Sequence, residues 1–302
     1  MRYQSKIAVV GSINMDLIAL CDTLPRLGET VIGKSFAQAP GGKGANQAVA
    51  AARLGGKVKM IGCVGNAFGA DLLDSLQQSG VDTAHVSQIQ DTSSGLAAIN
   101  VDKDGNNTLI YIPGANLLVT PQVVEDNEAT IAESDILVLQ FEIPPDTVSR
   151  AVEIAHKHRI PVVLNPSPYH ALDKSLYSMV DYLIPNEIEG AAIAGVEHAN
   201  LHNIVTALLK SGVKNVIMTI GEKGALYSDG QGIHHQPAYK VKALDTTAAG
   251  DAFLGAFALA ISSGERMPQA VAFATKVSAL SVQKVGAQPS LPSLADVQNF
   301  VL

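Results

Sequence analysis

The chain has no tryptophan, only two cysteines, and aromatic side chains at 5% of its 302 positions. Cys21 and Cys63 are too few and too far apart to build a disulfide framework or a zinc site. Basic residues are scarce as well: 21 Lys and Arg stand against 28 Asp and Glu, a formal net charge of −7, and no basic run occurs. This argues against nucleic acid as a partner, because phosphate-backbone binding needs clustered cations. No apolar run reaches the roughly 18 residues that span a bilayer. The opening residues Met1–Lys6 lead toward a short strand and not into a signal-peptide core. No membrane contact is expected, and a cytoplasmic globular protein is the default. With 47% hydrophobic and 16% charged residues, the chain can bury a large core.

What is present is an alternation. Short apolar runs at Ile7–Val10, Val58–Val64, Ile136–Leu139, Val162–Leu164, Tyr182–Ile184 and Val216–Ile220 read as buried parallel strands. Helical patterns at Ala45–Leu54, Ala70–Gln78, Pro145–His158, Glu187–Ala194 and Ile204–Ser211 lie between them, and Gly250–Ser263 and Pro268–Lys284 close the chain. The expected fold is α/β, a doubly wound α/β/α sandwich on a mainly parallel central sheet, in one domain covering 1–302. Two segments, Leu17–Ala37 and Gly95–Ile112, alternate apolar with polar and carry a tight turn at Asp104-Gly105-Asn106. They predict antiparallel strands with one apolar face, a small lid inserted at about 14–38 and 95–113 that covers a cleft, a second subunit, or both.

Three clusters carry chemistry. Asp245-Thr246-Thr247-Ala248-Ala249-Gly250-Asp251 runs straight into a helix, whose first amides and dipole suit an anion, phosphate above all. An aspartate at the rim of an anion site makes sense if Asp251 takes a proton from a hydroxyl that then attacks a held phosphoryl group. A plain helix-capping Asp is the other reading. Gly41-Gly42-Lys43-Gly44-Ala45-Asn46 is neither a P-loop, since Gly44 stands where Ser or Thr would bind magnesium, nor a dinucleotide fingerprint. Its glycines let backbone approach a ligand, and Asn46 can donate and accept toward vicinal sugar hydroxyls; a Gly-rich helix start with Lys43 in solvent is the alternative. Gly11-Ser12-Ile13-Asn14-Met15-Asp16 sets Asn14 and Asp16 on one side of an extended segment. The same strand-end edge supplies Glu142, Asn165 and Asn186, each of which alone could be a turn or cap residue.

These motifs, together with Asn186-Glu187-Ile188-Glu189 and the ending Gly286-Ala287-Gln288-Pro289-Ser290, resemble the ribokinase family of carbohydrate kinases, the phosphofructokinase-B type, over essentially the whole chain. The resemblance implies that Asp251 is the general base and that the amides of Ala248, Ala249 and Gly250 form the anion hole. It implies that Asn14, Asp16, Gly42, Lys43, Asn46 and Glu142 hold a sugar. Asn186 and Glu189 would organise the nucleotide phosphates and Mg2+, the latter through water on Glu189. Thr219, Gly221, Gly224, Gly250 and Thr275 would line an ATP site. Potassium would be held mostly by backbone carbonyls at Asp245, Thr247, Ser281, Lys284, Gly286 and Ser290. Family lids often pair, which implies a homodimer.

Two departures stand out against the family pattern: Ala248 replaces a commoner glycine, and Thr275 stands where a larger His or Asn is usual. Asn14 beside Asp16 suits hydroxyls at C2 and C3, so the expected order of acceptors is ribose at its 5-hydroxyl, then another pentose or 2-deoxyribose, then a nucleoside. A sugar phosphate would call for a basic cluster in the lid, where Arg26, Lys34 and Lys103 are well separated. A non-catalytic sugar sensor is the rival of another class, and an intact Asp251 argues against it.

Overall fold

The computed structural model describes residues 4–170, 173–197 and 200–300. A nine-stranded sheet organises the chain. In sequence order its strands are β1 (Lys6–Val10), β4 (Lys57–Val64), β5 (Val81–Gln88), β8 (Ile136–Leu139), β9 (Val162–Leu164), β10 (Tyr182–Leu183), β11 (Asn215–Thr219), β12 (Ala225–Ser228) and β13 (Ile233–Gln236), and in space they run β13-β12-β11-β10-β9-β8-β1-β4-β5. From β11 to β5 every pairing is parallel, and β12 and β13 form an antiparallel hairpin on one edge. The apolar runs are continuous because both faces of the sheet are covered. Along β1, Ile7 and Val9 join one core cluster with the helices Lys43–Arg53, Ala249–Ser262 and Met267–Ser281. Ala8 and Val10 join the other, with the helices Pro145–His158 and Leu201–Lys210. A period of two thus divides one strand between two cores, which is the expected sandwich.

A second sheet holds β2 (Asn14–Cys21), β3 (Gly33–Gly41), β6 (Gly95–Val101) and β7 (Asn107–Ile112) in the order β3-β2-β6-β7. Both hairpins are antiparallel, but they join through a parallel β2–β6 pairing, so the wholly antiparallel lid read from the alternation needs correction. Alternation reports a half-buried face and is blind to strand direction across a long connection. Phe36, Leu109 and Ile110 lie exposed on this sheet. β5, β12 and β13 were not foreseen. In β5, Val81-Asp82-Thr83-Ala84-His85 carries too few apolar residues for a buried run, because it is an edge strand. No helix among the described residues is long and apolar enough to cross a membrane.

The site is assembled by the short link Gly11-Ser12-Ile13 between β1 and β2. It brings Asn14 into register with Gly41 of β3 and Gly95 of β6, beside the start of helix Lys43–Arg53. Gly42 makes the turn into that helix at φ +88°, a conformation that favours glycine. A Cβ on Gly44 would come within 2.6 Å of the Ser12 amide, so the close crossing of the two segments also requires a glycine.

Candidate active site

Asp251 lies in the first turn of helix Ala249–Ser262 and is 7% exposed. Asn46 Nδ2 donates to its Oδ2 and Gln47 Nε2 to its Oδ1, each at 2.9 Å. Burial pushes the Asp251 carboxyl above the usual range and Glu142 adds to the rise, while the Lys43 charge and the two amide donors oppose it. The result is a carboxylate poorly solvated and avid for a proton. That is the state a base needs, whereas an ordinary helix cap sits in water.

Asp251 lines a cavity of about 230 Å3 together with Lys43, Asn165, Asn186, Glu189, Thr219, Thr246 and Ala248–Gly250. Ala248 takes φ +58°, and the helix starts at Ala249. The amides of this turn are not equivalent. Ala249 N donates to Thr246 O at 3.2 Å, closing the turn, while Ala249 still lines the cavity. Ala248 and Gly250 keep N–H groups that meet no acceptor among the described residues. The i to i+3 turn that lets Ala248 enter the left-handed region uses up one donor to do so.

A cluster of polar side chains gathers around Glu142. Glu142 Oε2 accepts from Ser12 Oγ at 2.6 Å, Asn14 Nδ2 at 3.2 Å and Lys43 N at 3.1 Å. Asp16 accepts no hydrogen bond from a described residue, and burial together with the charges of Glu142 and Asp251 raises its pKa to about 6. Lys43 moves the other way from most buried amines. Burial alone would lower it, but Asp251, Glu142 and Glu189 outweigh that and hold the ammonium charged. Lys43 and Asp251 therefore belong to both groups: they line the cavity and feel the charge of Glu142. Asn46 Oδ1 is buried with no hydrogen-bond partner, an unpaired acceptor beside Asp251.

Other expected residues fall into place unevenly. Asn186 and Glu189 make a reciprocal capping box, Oδ1 accepting from Glu189 N at 2.8 Å and Glu189 Oε2 from Asn186 N at 3.0 Å, while both line the cavity. Capping and lining therefore coexist. Gly221 and Gly224 flank a short 3-10 turn and Thr275 sits in helix Met267–Ser281 with its hydroxyl donating to Val271 O; none of the three lines the cavity. Asp245 ties two distant segments together: Oδ1 accepts from Thr247 N and Oγ1, and Oδ2 from Gly286 N at 2.8 Å. The carbonyls of Asp245, Thr247 and Gly286 accept no hydrogen bond from described residues, which fits a ring of oxygens for a monovalent cation. The Ser281 carbonyl is partly spent on Lys284 N, and the Ser281 and Ser290 hydroxyls on Ser278 O and Ala287 O. Among the described residues no three His, Cys, Asp or Glu side chains cluster as a metal site. Glu189 alone fits magnesium that keeps its waters and binds mainly to phosphate.

Sequence reasoning missed Asn116, Tyr111, Gln140 and the role of Gln47. Asn116 Nδ2 reaches Asn14 and the Tyr111 hydroxyl, and Tyr111 donates to Glu142 O at 3.3 Å. No local pattern marks them, because each acts on a residue far away in the chain; only Gln47, inside the glycine motif, was within sight.

The chain has relatives of known family along its whole length. The pattern of the pfkB family carbohydrate kinases matches residues 4–294. A ribokinase of Schizosaccharomyces pombe is 42% identical over 307 aligned positions, covering 97% of this chain and 96% of that protein. A deoxyribokinase of Salmonella typhi is 38% identical, with 98% of each chain covered. The structure of Arabidopsis thaliana ribokinase complexed with ribose and ATP superposes with a TM-score of 0.92 at 30% identity, covering 100% of both chains. The chain belongs to the pfkB family of carbohydrate kinases and is ribokinase-like over its whole length.

Proposed function

We propose that the protein transfers the γ-phosphoryl group of ATP to the 5-hydroxyl of D-ribose, giving ribose 5-phosphate and ADP. One observation carries the reading: a buried, desolvated carboxylate, Asp251, lines a cavity at a helix N-terminus and shares its surroundings with the polar cluster of Glu142 and Asp16. The sugar lies at this cluster, with Asp16, Asn14, Glu142 and the backbone at Gly42 on its ring hydroxyls. Asn46 Oδ1, buried and unpartnered, accepts from a hydroxyl there. Asp251 removes the proton of the 5-hydroxyl as its oxygen bonds to the γ-phosphorus and the bond to the β–γ bridging oxygen breaks. Charge growing on the phosphoryl oxygens faces the amides of Ala248 and Gly250, the positive end of helix Ala249–Ser262, and the Lys43 ammonium. Positioning plus charge stabilisation suffices for this reaction class.

ATP lies in the cavity along Asn186, Glu189 and Thr219, with Gly221, Gly224 and Thr275 further along its site. Glu189 is the residue that would hold magnesium, which would supply charge neutralisation to the phosphates. Carbonyls of Asp245, Thr247, Ser281, Lys284, Gly286 and Ser290 would hold potassium, which would supply positive charge beside the Thr246–Gly250 turn. The whole chain works as one kinase domain, its second sheet closing over the sugar. The exposed Phe36, Leu109 and Ile110 on that sheet fit a homodimer through the lid. Kinship with a deoxyribokinase as well as ribokinases makes the acceptor the point to test.

The experiment is an ATP-dependent kinase assay on ribose, 2-deoxyribose, fructose and adenosine, with and without potassium, for the wild type and Asp251→Asn. Turnover on ribose that potassium stimulates and Asp251→Asn abolishes is the expected result, with ribose affinity kept within about tenfold. Preference for 2-deoxyribose overturns the ribose assignment, and an active Asp251→Asn overturns the mechanism.

A further inference from the structure

Gln140, at the C-terminal end of β8, and Gln47, in helix Lys43–Arg53, are as deeply buried as any apolar core residue, at 0% and 1% exposure. Gln140 Nε2 donates to Gln47 Oε1 at 2.7 Å, and Gln47 Nε2 donates to Asp251 Oδ1 at 2.9 Å and toward Asn165 Oδ1 at 3.4 Å. The relay has a direction. A primary amide presents oxygen on one side and nitrogen on the other, and turning Gln47 over would set its oxygen against the Asp251 carboxylate in a buried site, where such repulsion is poorly screened. Gln47 keeps the useful orientation only if its own oxygen finds a donor on the far side, and Gln140 is that donor.

Gln140 meets a cost in doing so. Its Oε1 is buried with no hydrogen-bond partner. It rests against Gly11, where an added Cβ would collide with it. A buried acceptor left unpaired costs about 1–3 kcal/mol. Packing alone would be better served by an apolar side chain of that shape, so the polar pair needs another explanation.

We infer that Gln140 is a positioning residue: it fixes the amide orientation of Gln47, and Gln47 in turn holds Asp251 with its proton-accepting face toward the sugar hydroxyl. The inference rests on the reading of Asp251 as the base. The other charged groups facing Asp251 are Lys43 at the start of helix Lys43–Arg53, Glu142 beyond β8, and Asp16 in β2, and the variants below leave them in place.

The test is a double-mutant cycle in the ribose and ATP assay, followed across pH. In Gln140→Glu the new carboxylate attracts Gln47 Nε2 and turns its oxygen toward Asp251. The expected result is a kcat about tenfold lower at neutral pH, an acid limb of the kcat profile about one pH unit higher, and a sugar KM within about threefold. In a Gln47→Met background the same change should cost less than about twofold, because the relay is already cut. Equal losses in both backgrounds, or a loss confined to KM, overturn the inference. Should Gln140→Glu fail to fold, Gln140→Met reads the same cycle without a buried charge, with a loss of about threefold in the wild type and none beside Gln47→Met. Asp251→Asn is measured in parallel. If it turns over, the base assignment fails and the relay falls with it; if it is dead while the cycle shows no coupling, only the relay is refuted.

Discussion

Asn116 Nδ2 donates to Asn14 Oδ1 at 2.6 Å, while Asn116 Oδ1 accepts from Ile13 N at 3.0 Å. The second bond fixes which way the Asn116 amide faces, and the first therefore occupies the Asn14 oxygen. One Asn14 N–H goes to Glu142, Tyr111 is a further hydrogen-bond neighbour, and the Asn14 oxygen keeps its second lone pair. Asn14 thus brings a mixed donor and acceptor edge whose orientation Asn116 and Glu142 fix, whereas Asp16 and Asn46 Oδ1 present acceptors. A sugar hydroxyl, which donates and accepts at once, matches that mixture.

Asn116→Leu should break this division. It strands the Asn14 oxygen and the Ile13 amide in a buried setting, at about 1–3 kcal/mol each, and frees the Asn14 amide to turn. The expected outcome is a lower Tm together with a sugar KM raised about tenfold and a much smaller change in the KM of ATP. Thermal melts and initial rates read both, and an unchanged sugar KM would refute the positioning role.

Asp16 is placed for function at the expense of stability. Its folded pKa of about 6 lies above the unfolded value of 3.8. The folded state therefore binds the proton more tightly, and the carboxylate disfavours folding above pH 6, a cost relieved as pH falls through 6 toward 3.8. Asp16→Asn should raise stability at pH 7, by at most about 3 kcal/mol, and leave it unchanged near pH 4. The same variant should raise the sugar KM at least about tenfold, and wild-type sugar affinity should weaken below pH 6. Denaturant titrations at the two pH values check the first, and a KM profile the second.

Much of this was legible in the sequence, for identifiable reasons. β1, β8 and β9 are continuous apolar runs because two helical layers cover them, and the helices Pro145–His158 and Glu187–Ala194 end where the pattern ends. Asp251 and Lys43 were visible because their chemistry sits within compact motifs. Asn116, Tyr111 and Gln140 were not, since each serves a partner roughly 30 to 100 residues away and nothing in its own neighbourhood differs from a turn or a strand end. The parallel β2–β6 pairing escaped for the same reason: direction is set by the path of the intervening chain, and the alternation of side chains does not record it.

Ala248 holds φ +58° in the anion turn, where the side chain works against the backbone. Ala248→Gly removes that penalty, which for a non-glycine residue is about 1–2 kcal/mol, and loosens the unfolded chain in return. A net gain below about 1 kcal/mol is expected in chemical unfolding. Because the N–H group is unaltered, kcat should stay within about threefold. A large fall in kcat would mean that the methyl group, and not only the amide, shapes the turn.

Asp245 gives the most direct test of the cation ring. Its carboxylate lies below the usual range: burial alone would raise it, and the bonds from Gly286 and Thr247 outweigh that. A depressed carboxylate stabilises the fold above its unfolded pKa, and that contribution is lost as pH falls through the folded value. Those bonds join the turn after Leu244 to the Gly286 segment, 41 residues along, and so hold together carbonyls that would otherwise move independently. Asp245→Ala keeps every carbonyl but releases the clamp, and each charge-assisted bond lost is worth about 1.5–3 kcal/mol. Loosening should therefore fall on cation binding first. The concentration of potassium for half-maximal activity is expected to rise about tenfold, equivalent to 1.4 kcal/mol, while kcat at saturating potassium returns to within about threefold. A loss of activity that no concentration of potassium restores would instead make the carboxylate a support of the Thr246–Gly250 turn itself, independent of any ion.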